Sequence, residues 1–234
     1  MTLYDWIVAS YPFSWNAKDM SGYANNGTIT GATLTTDNLG IADSAYNFDG
    51  TDGDKIAFWT DNGIFTWADW MTISSWVKST NNPNSLWIMN KWTSFNGSWW
   101  FAYYLTTSNN LRFIIDWVAN SDSATNITMW DWNWYHVVVT CTAAGKVNHY
   151  VNATLSWTAD QQNGTTSQID WGSNLLIWNY ENSGGNRCWV WDIWKTIIYN
   201  RVITTAEIKQ LYNSQLWKTQ MSDTGLTTHL FTEI

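Results

Sequence analysis

The side chains that could do chemistry in this chain are its carboxylates, imidazoles and aromatic rings. A retaining glycosidase needs two carboxyl groups about 5 Å apart on one face of a strand. The only glutamates are Glu181, Glu207 and Glu233, far apart in sequence. His136, His149 and His229 lack the spacing of metal ligands, and His136, inside an apolar run, reads as a satisfied core residue. No serine sits in a nucleophile elbow and no glycine loop is built to cradle phosphate. An enzyme is therefore not expected. Calcium takes carboxylate, amide and carbonyl oxygens from flexible loops. Two clusters offer these, Asp49-Gly-Thr-Asp-Gly-Asp and the Asp19 loop with Asn25 and Asn26. For Asp52 and Asp54 the stronger reading is a solvated hairpin. Sugar recognition needs an aromatic face to stack on and a few polar groups to fix hydroxyls. Trp87, Tyr103, Arg112 and Trp178 are the candidates for carbohydrate binding. With Leu111, Phe113 and Ile115 turned inward, Arg112 points outward and Tyr103 is a neighbour across the strand pair. Core or edge packing is the alternative reading of each ring.

The elements that must position these residues are strands. From Trp134 to Ser156, Tyr135, Val137, Val139 and Cys141 share one face, and His136, Val138 and Thr140 share the other. Both faces suit burial, which predicts a central strand. Ala144-Gly145 and Asn152-Ala153 then turn the chain into a three-strand meander. Further strands are predicted at Trp6 to Phe13, Thr72 to Lys78, Ser85 to Lys91, Trp99 to Thr106 and Leu111 to Asp116. Thr204 and Glu207 are spaced as a capping box, and Ile208, Leu211 and Tyr212 form one apolar face. That is the single clear helix.

Composition narrows the functions. The net charge is −8 with only 13% charged residues, which disfavours a nucleic acid partner or an acidic polymer. No apolar run approaches a membrane span of roughly 20 residues, and no signal peptide is read at Met1-Thr-Leu-Tyr-Asp. Cys141 and Cys188 could make one bridge, although two separate buried thiols are favoured.

Several segments together resemble the laminin G-like jelly roll of the concanavalin A-like lectin and glucanase superfamily. They are Asp19-Met-Ser-Gly with Asn25-Asn-Gly, Ala45-Tyr-Asn-Phe-Asp-Gly, Trp134-Tyr-His-Val-Val-Val-Thr, Tyr150-Val-Asn and Ile197-Ile-Tyr-Asn-Arg. The resemblance runs from Trp6 to about Asn213. It implies an all-β fold, an antiparallel jelly-roll β-sandwich of two sheets of about six strands each, with one short C-terminal helix. Residues 1–214 form the domain and 215–234 a tail or linker. A hydrolase of that superfamily carries Glu-x-Asp-x-x-Glu or a near variant, which is missing here. The resemblance also implies a structural calcium ion, with Asp19, Asn26 and Asp192 as candidate ligands. Trp194 and Lys195 stand where the family often has an acidic pair. The expected function is a non-catalytic carbohydrate-binding or adhesion module of a larger secreted or surface protein, with a glycan or polysaccharide as partner and no membrane insertion. A structural or protein-interaction spacer is the alternative, and a degenerate glycoside hydrolase a remote third.

Twenty-one tryptophans against 14 glycines is unusual. Asp5-Trp6, Asp69-Trp70, Asp116-Trp117, Asp131-Trp132 and Asp170-Trp171 each place Trp where glycine would make a standard turn. Trp15, Trp178 and Trp191 stand where the resembling family usually has Gly, whereas Trp76 and Trp134 stand where it has Trp. Two readings are open: a protein truly rich in Trp, or a reading frame in which UGA means glycine, so that Trp6, Trp15, Trp132 and Trp178 are recoded glycines.

Overall fold

The computed structural model describes residues 2–51, 53–58, 71–79, 86–91, 101–106, 108–115, 119–122, 131–142, 145–160, 175–178 and 190–223. The first strands are β1 (Ile7–Tyr11), β2 (Gly27–Thr30), β3 (Thr33–Thr35), β4 (Ala45–Asp49) and β5 (Lys55–Phe58). The next are β6 (Met71–Ser79), β7 (Leu86–Lys91), β8 (Phe101–Leu105), β9 (Leu111–Ile115) and β10 (Ala119–Asp122). The last are β11 (Tyr135–Cys141), β12 (Lys146–Val151), β13 (Thr154–Asp160), β14 (Leu175–Trp178) and β15 (Val190–Tyr199), followed by α1 (Thr205–Asp223).

They form two antiparallel sheets. One has eight strands, in the order β13-β12-β11-β6-β15-β4-β3 with β1 also on β15, and the other has seven, β10-β9-β8-β7-β14-β5-β2. Both are larger than the six or so strands expected, because the short β2, β3 and β10 extend them at their edges. The chain passes repeatedly from one sheet to the other, and the inner faces bury one core that includes Phe48, Phe101, Phe113, Val137, Val139 and Trp191.

The alternation read at the central meander holds. β11 lies between β12 and β6, with Val137, Val139 and Cys141 in the sandwich core. Its other face, with His136 and Val138, is also buried, because α1 supplies a second apolar layer. Ile208 and Leu211 pack there with Val138, Tyr150, Ile197, Tyr199 and Ile203. The helix starts where the sequence places it. Thr204 Oγ1 accepts from the Glu207 amide at 3.3 Å, and Glu207 Oε2 accepts from the Thr204 amide at 2.7 Å. Arg201 clamps the same carboxylate with two hydrogen bonds of 2.9 and 2.6 Å and holds its pKa down to about 2. α1 continues to Asp223 and is not long and apolar enough to cross a membrane.

The Asp49 to Asp54 stretch is not a solvated hairpin. β4 and β5 belong to different sheets, so the segment is a crossover, and Asp54 is buried in it with its carboxylate accepting from the Asp49 amide at 3.3 Å. Burial raises the Asp54 pKa. Cys141 is a free thiol in the core, its pKa pushed up to about 12 by burial; Cys188 and Asp52 lie outside the described residues.

Among the described residues three tryptophans hold left-handed backbone: Trp6 at φ 72°, Trp15 at 63° and Trp132 at 58°. Their rings are 55%, 71% and 41% exposed. Main-chain bonds hold two of these turns: the Asn200 amide donates to the Trp6 carbonyl at 2.9 Å, and the Trp15 amide to the Asp43 carbonyl at 2.8 Å. At Trp132 the preceding Asp131 closes the turn by accepting from the Asn133 amide at 3.0 Å. Phe13 and Ala153 also have positive φ, but both are buried and held by packing. By contrast, Trp191 lies in the core stacked on Phe48, ring centroids 4.6 Å apart.

Candidate functional site

Two of the candidates, Trp87 and Arg112, share the outer face of the seven-stranded sheet with Tyr104 between them. β7, β8 and β9 pair so that Trp87 is opposite Tyr104 and Tyr104 opposite Arg112. The Trp87 and Tyr104 rings stack at 4.6 Å with 17° between planes. Arg112 Nη1 donates to the Tyr104 hydroxyl at 3.4 Å, with the guanidinium 6.0 Å from the ring centroid. Beside this row runs a second, Leu176-Asn90-Ala102-Ile114, set by the same registers. Ala102 and Ile114 form with Trp87 and Tyr104 an apolar cluster separate from the sandwich core. Asn90 is 1% exposed, and neither its amide nitrogen nor its oxygen has a hydrogen-bond partner.

Tyr103 is a correction. It faces inward and is fully buried, 6.4 Å from Phe113 edge to face and 6.1 Å from His149. The turn that puts Leu105 opposite Leu111 makes Phe113 the partner of Tyr103, and cross-strand partners share a face. Tyr104 takes its place beside Arg112. Burial raises the Tyr103 phenol pKa well above its ordinary value. Trp178 ends β14 in register with Lys55, and its side chain lies outside the described residues. Asn90 is hidden from pattern reading by a bulge between Trp87 and Met89. Strict alternation would put residues 87 and 90 on opposite faces, whereas the extra residue brings both outward.

The acidic candidates do not converge. Asp19 Oδ1 accepts from the amides of Ser10 and Ser21, each at 2.9 Å, and Oδ2 from Ser21 Oγ at 2.7 Å and the Asn25 amide at 3.0 Å. Asn26 accepts from the Asp19 amide at 3.0 Å. Asp192 is buried on β15 between Lys78 Nζ, at 2.8 Å, and Asn47 Nδ2, which donates to it at 2.6 Å. The donors around both carboxylates are N–H, O–H and ammonium groups, so this set does not fit a cation. Among the described residues no three His, Cys, Asp or Glu side chains gather as metal ligands. The Asp19 loop instead braces the free edge of β1. Asp19→Ala is expected to cost about 1–2 kcal/mol, read as a lower urea midpoint. Calcium is expected to leave the melting temperature of the parent chain unchanged; a calcium-dependent rise abolished by Asp19→Ala would reverse this assignment.

A Ser–His contact also exists. Ser74 Oγ is hydrogen-bonded to His136 Nε2 at 2.8 Å, beside a small cavity lined by Trp76, Lys195, Ile197 and Leu211. The imidazole packs beside the rings of Trp76, at 5.2 Å, and Tyr212, at 5.9 Å, which stack on each other at 5.6 Å. Its Nδ1 has no partner, and burial pushes its pKa down to about 3. An imidazole with a pKa near 3, shut under a helix, is a poor general base.

No family model matches the chain, and no curated protein matches it. Solved structures do. The receptor-binding domain of botulinum neurotoxin mosaic serotype C/D superposes with a TM-score of 0.72 at 20% identity, over 92% of this chain and 52% of that one. The binding domain of Paraclostridial Mosquitocidal Protein 1 gives 0.72 at 19% identity, over 92% and 53%. A botulinum neurotoxin type C structure, from a protein whose cell entry depends on interaction with two ganglioside molecules, gives 0.67 at 18%, over 91% and 52%. The chain thus spans about half the length of each, and what it shares with them is an antiparallel β-sandwich fold.

Proposed function

We propose that this chain is a non-catalytic carbohydrate-binding module, laminin G-like in kind, of a larger secreted or surface protein. The observation that carries the reading is the outward row Trp87-Tyr104-Arg112, a stacked aromatic pair with a guanidinium at its end on a rigid sheet. A pyranose ring stacks on an aromatic face, and a guanidinium donates to hydroxyls in a fixed fork. The kinship in fold with toxin binding domains supports a binding role.

A polysaccharide pull-down tests this, with free sugar as competitor. Retention that saturates and competes is expected, with Trp87→Ala and Arg112→Ala each weakening it about tenfold or more, equivalent to ~1.4 kcal/mol. A chain that retains nothing would be a spacer.

A further inference from the structure

We infer that the cavity between α1 and the outer face of the eight-stranded sheet is a binding site for a small monovalent anion of chloride size. Three observations, independent of the glycan reading, converge there. The first is a strained lysine. β15 is bulged between Trp194 and Ile197, and Lys195, inside the bulge, holds φ 42°. A bulge re-aims a side chain, and left-handed backbone on a residue other than glycine is a strain that collects at ligand sites. The second is an unpaired imidazole atom. His136 is 1% exposed and its Nδ1 has no hydrogen-bond partner, which is rare and destabilising in a settled core. The third is room beside that ring. The cavity measures about 10 Å³ and is lined by His136, Lys195 and Ser74, with Trp76, Ile197 and Leu211 as its apolar wall. A volume of this order holds one compact occupant and has no space for a polyatomic anion such as sulfate.

The chemistry of the lining selects the occupant. Ser74 Oγ lies 2.8 Å from His136 Nε2. With the serine as donor, the neutral imidazole keeps its proton on Nδ1, which then needs an acceptor. The Lys195 charge lowers the basicity of that imidazole, so its positive field reaches the ring. An N–H donor and an ammonium field within apolar walls suit an anion, because a hydrogen bond to an ionised partner is about twice as strong as a neutral one. A water molecule pairs Nδ1 as well but gains less from the field. Lys195 is partly exposed, which gives the cavity a route to solvent along that side chain.

The test uses the full chain and chlorine NMR, in which the chloride line broadens as the ion exchanges with a protein site. The folded parent is expected to broaden the line saturably, with bromide competing and sulfate at equal ionic strength not. Lys195→Met is expected to weaken chloride about tenfold or more. His136→Phe, which removes the Nδ1 donor, is the second variant and is expected to abolish saturation. Circular dichroism checks that each is folded. Lys18→Met, at an exposed lysine of the loop before β2, is the control for loss of one positive charge and is expected to bind as the parent does. A folded parent that leaves the line sharp overturns the inference. So does broadening that survives both site variants, or that Lys18→Met reduces as much as Lys195→Met, which would be diffuse counter-ion association only. None of these outcomes bears on the glycan reading, which the polysaccharide pull-down tests separately.

Discussion

Replacing Trp6, Trp15 and Trp132 together by glycine is expected to raise stability by about 2 kcal/mol, a gain in melting temperature of roughly 4–8 °C for a chain of this size. Each position is held at positive φ with its ring largely in solvent, so the side chain has little packing to set against the strain. A non-glycine residue there costs of order 1–3 kcal/mol, of which the extra freedom of glycine in the unfolded chain takes back about 0.5–1. The gain is smallest at Trp132, because Lys78 Nζ lies 4.3 Å from its ring centroid and that contact is worth ~0.5–1 kcal/mol. Loss of exposed indole surface also raises solubility. Trp191→Gly moves the other way, costing about 4 kcal/mol or more, since it opens a cavity beside Phe48 in the core. A triple variant no more stable than the parent would show the strain to be absent.

The same geometry favours the recoded-glycine reading of the tryptophan excess, and the codons decide it. Asp5-Trp6 and Asp131-Trp132 adopt the turns their dipeptides imply with glycine in second place. The gene is expected to carry UGA at positions 6, 15 and 132 and UGG at Trp76 and Trp134, whose rings pack beside Trp194. UGG at the first three positions would establish a protein truly rich in Trp.

Acid is expected to destabilise the chain well before its carboxylates titrate. His136 is 1% exposed, and burial first, then the nearby Lys195 charge, lowers its pKa from 6.5 to about 3. The unfolded chain binds the proton near pH 6.5 and the folded chain does not, so stability is full above that pH. It falls as pH drops, by about 1.4 kcal/mol per unit, until the folded form protonates near pH 3. Lowering the pH from 7 to 5 should therefore cost roughly 2 kcal/mol, and the whole window on the order of 5. Glu207, held down to about 2 by Arg201, adds a loss in the same direction, but only below its unfolded pKa of 4.5. The range between pH 6.5 and 5 lies above that loss, and substitution singles out His136 from His149, the other buried histidine. His136→Phe keeps a ring against Trp76 and Tyr212 and should flatten the slope of urea stability against pH there. An unchanged slope would show that His136 is not the group responsible. Because Tyr212 belongs to α1, the helix should loosen first, seen as faster amide exchange at Ile208 and Leu211.

The strands, the central meander and the capped helix were legible in the sequence because each is fixed by short-range rules. Period-two alternation decides which side of β11 is apolar, and Thr204 with Glu207 closes a cap within one turn. The Asp-Trp dipeptides were legible for the same reason, since a turn is local. The candidate site was legible only in part: Arg112 faces outward as expected, but its neighbour is Tyr104 and not Tyr103, and the sequence assigned Trp87 no face. Partner choice across a hairpin depends on register, and one residue of register reverses a face. Asn90 depended on the bulge before Met89, and the double burial of His136 on α1 folding back over β11. The disposition of Asp19 and Asp192 depended on which donors the fold brings to each, a brace of loop amides for one and the Lys78 ammonium for the other. The sequence by itself thus determined the class of fold and the local turns, while the tertiary structure alone decided which side chains face one another, because those contacts join residues far apart in the chain through register, bulges and layer packing.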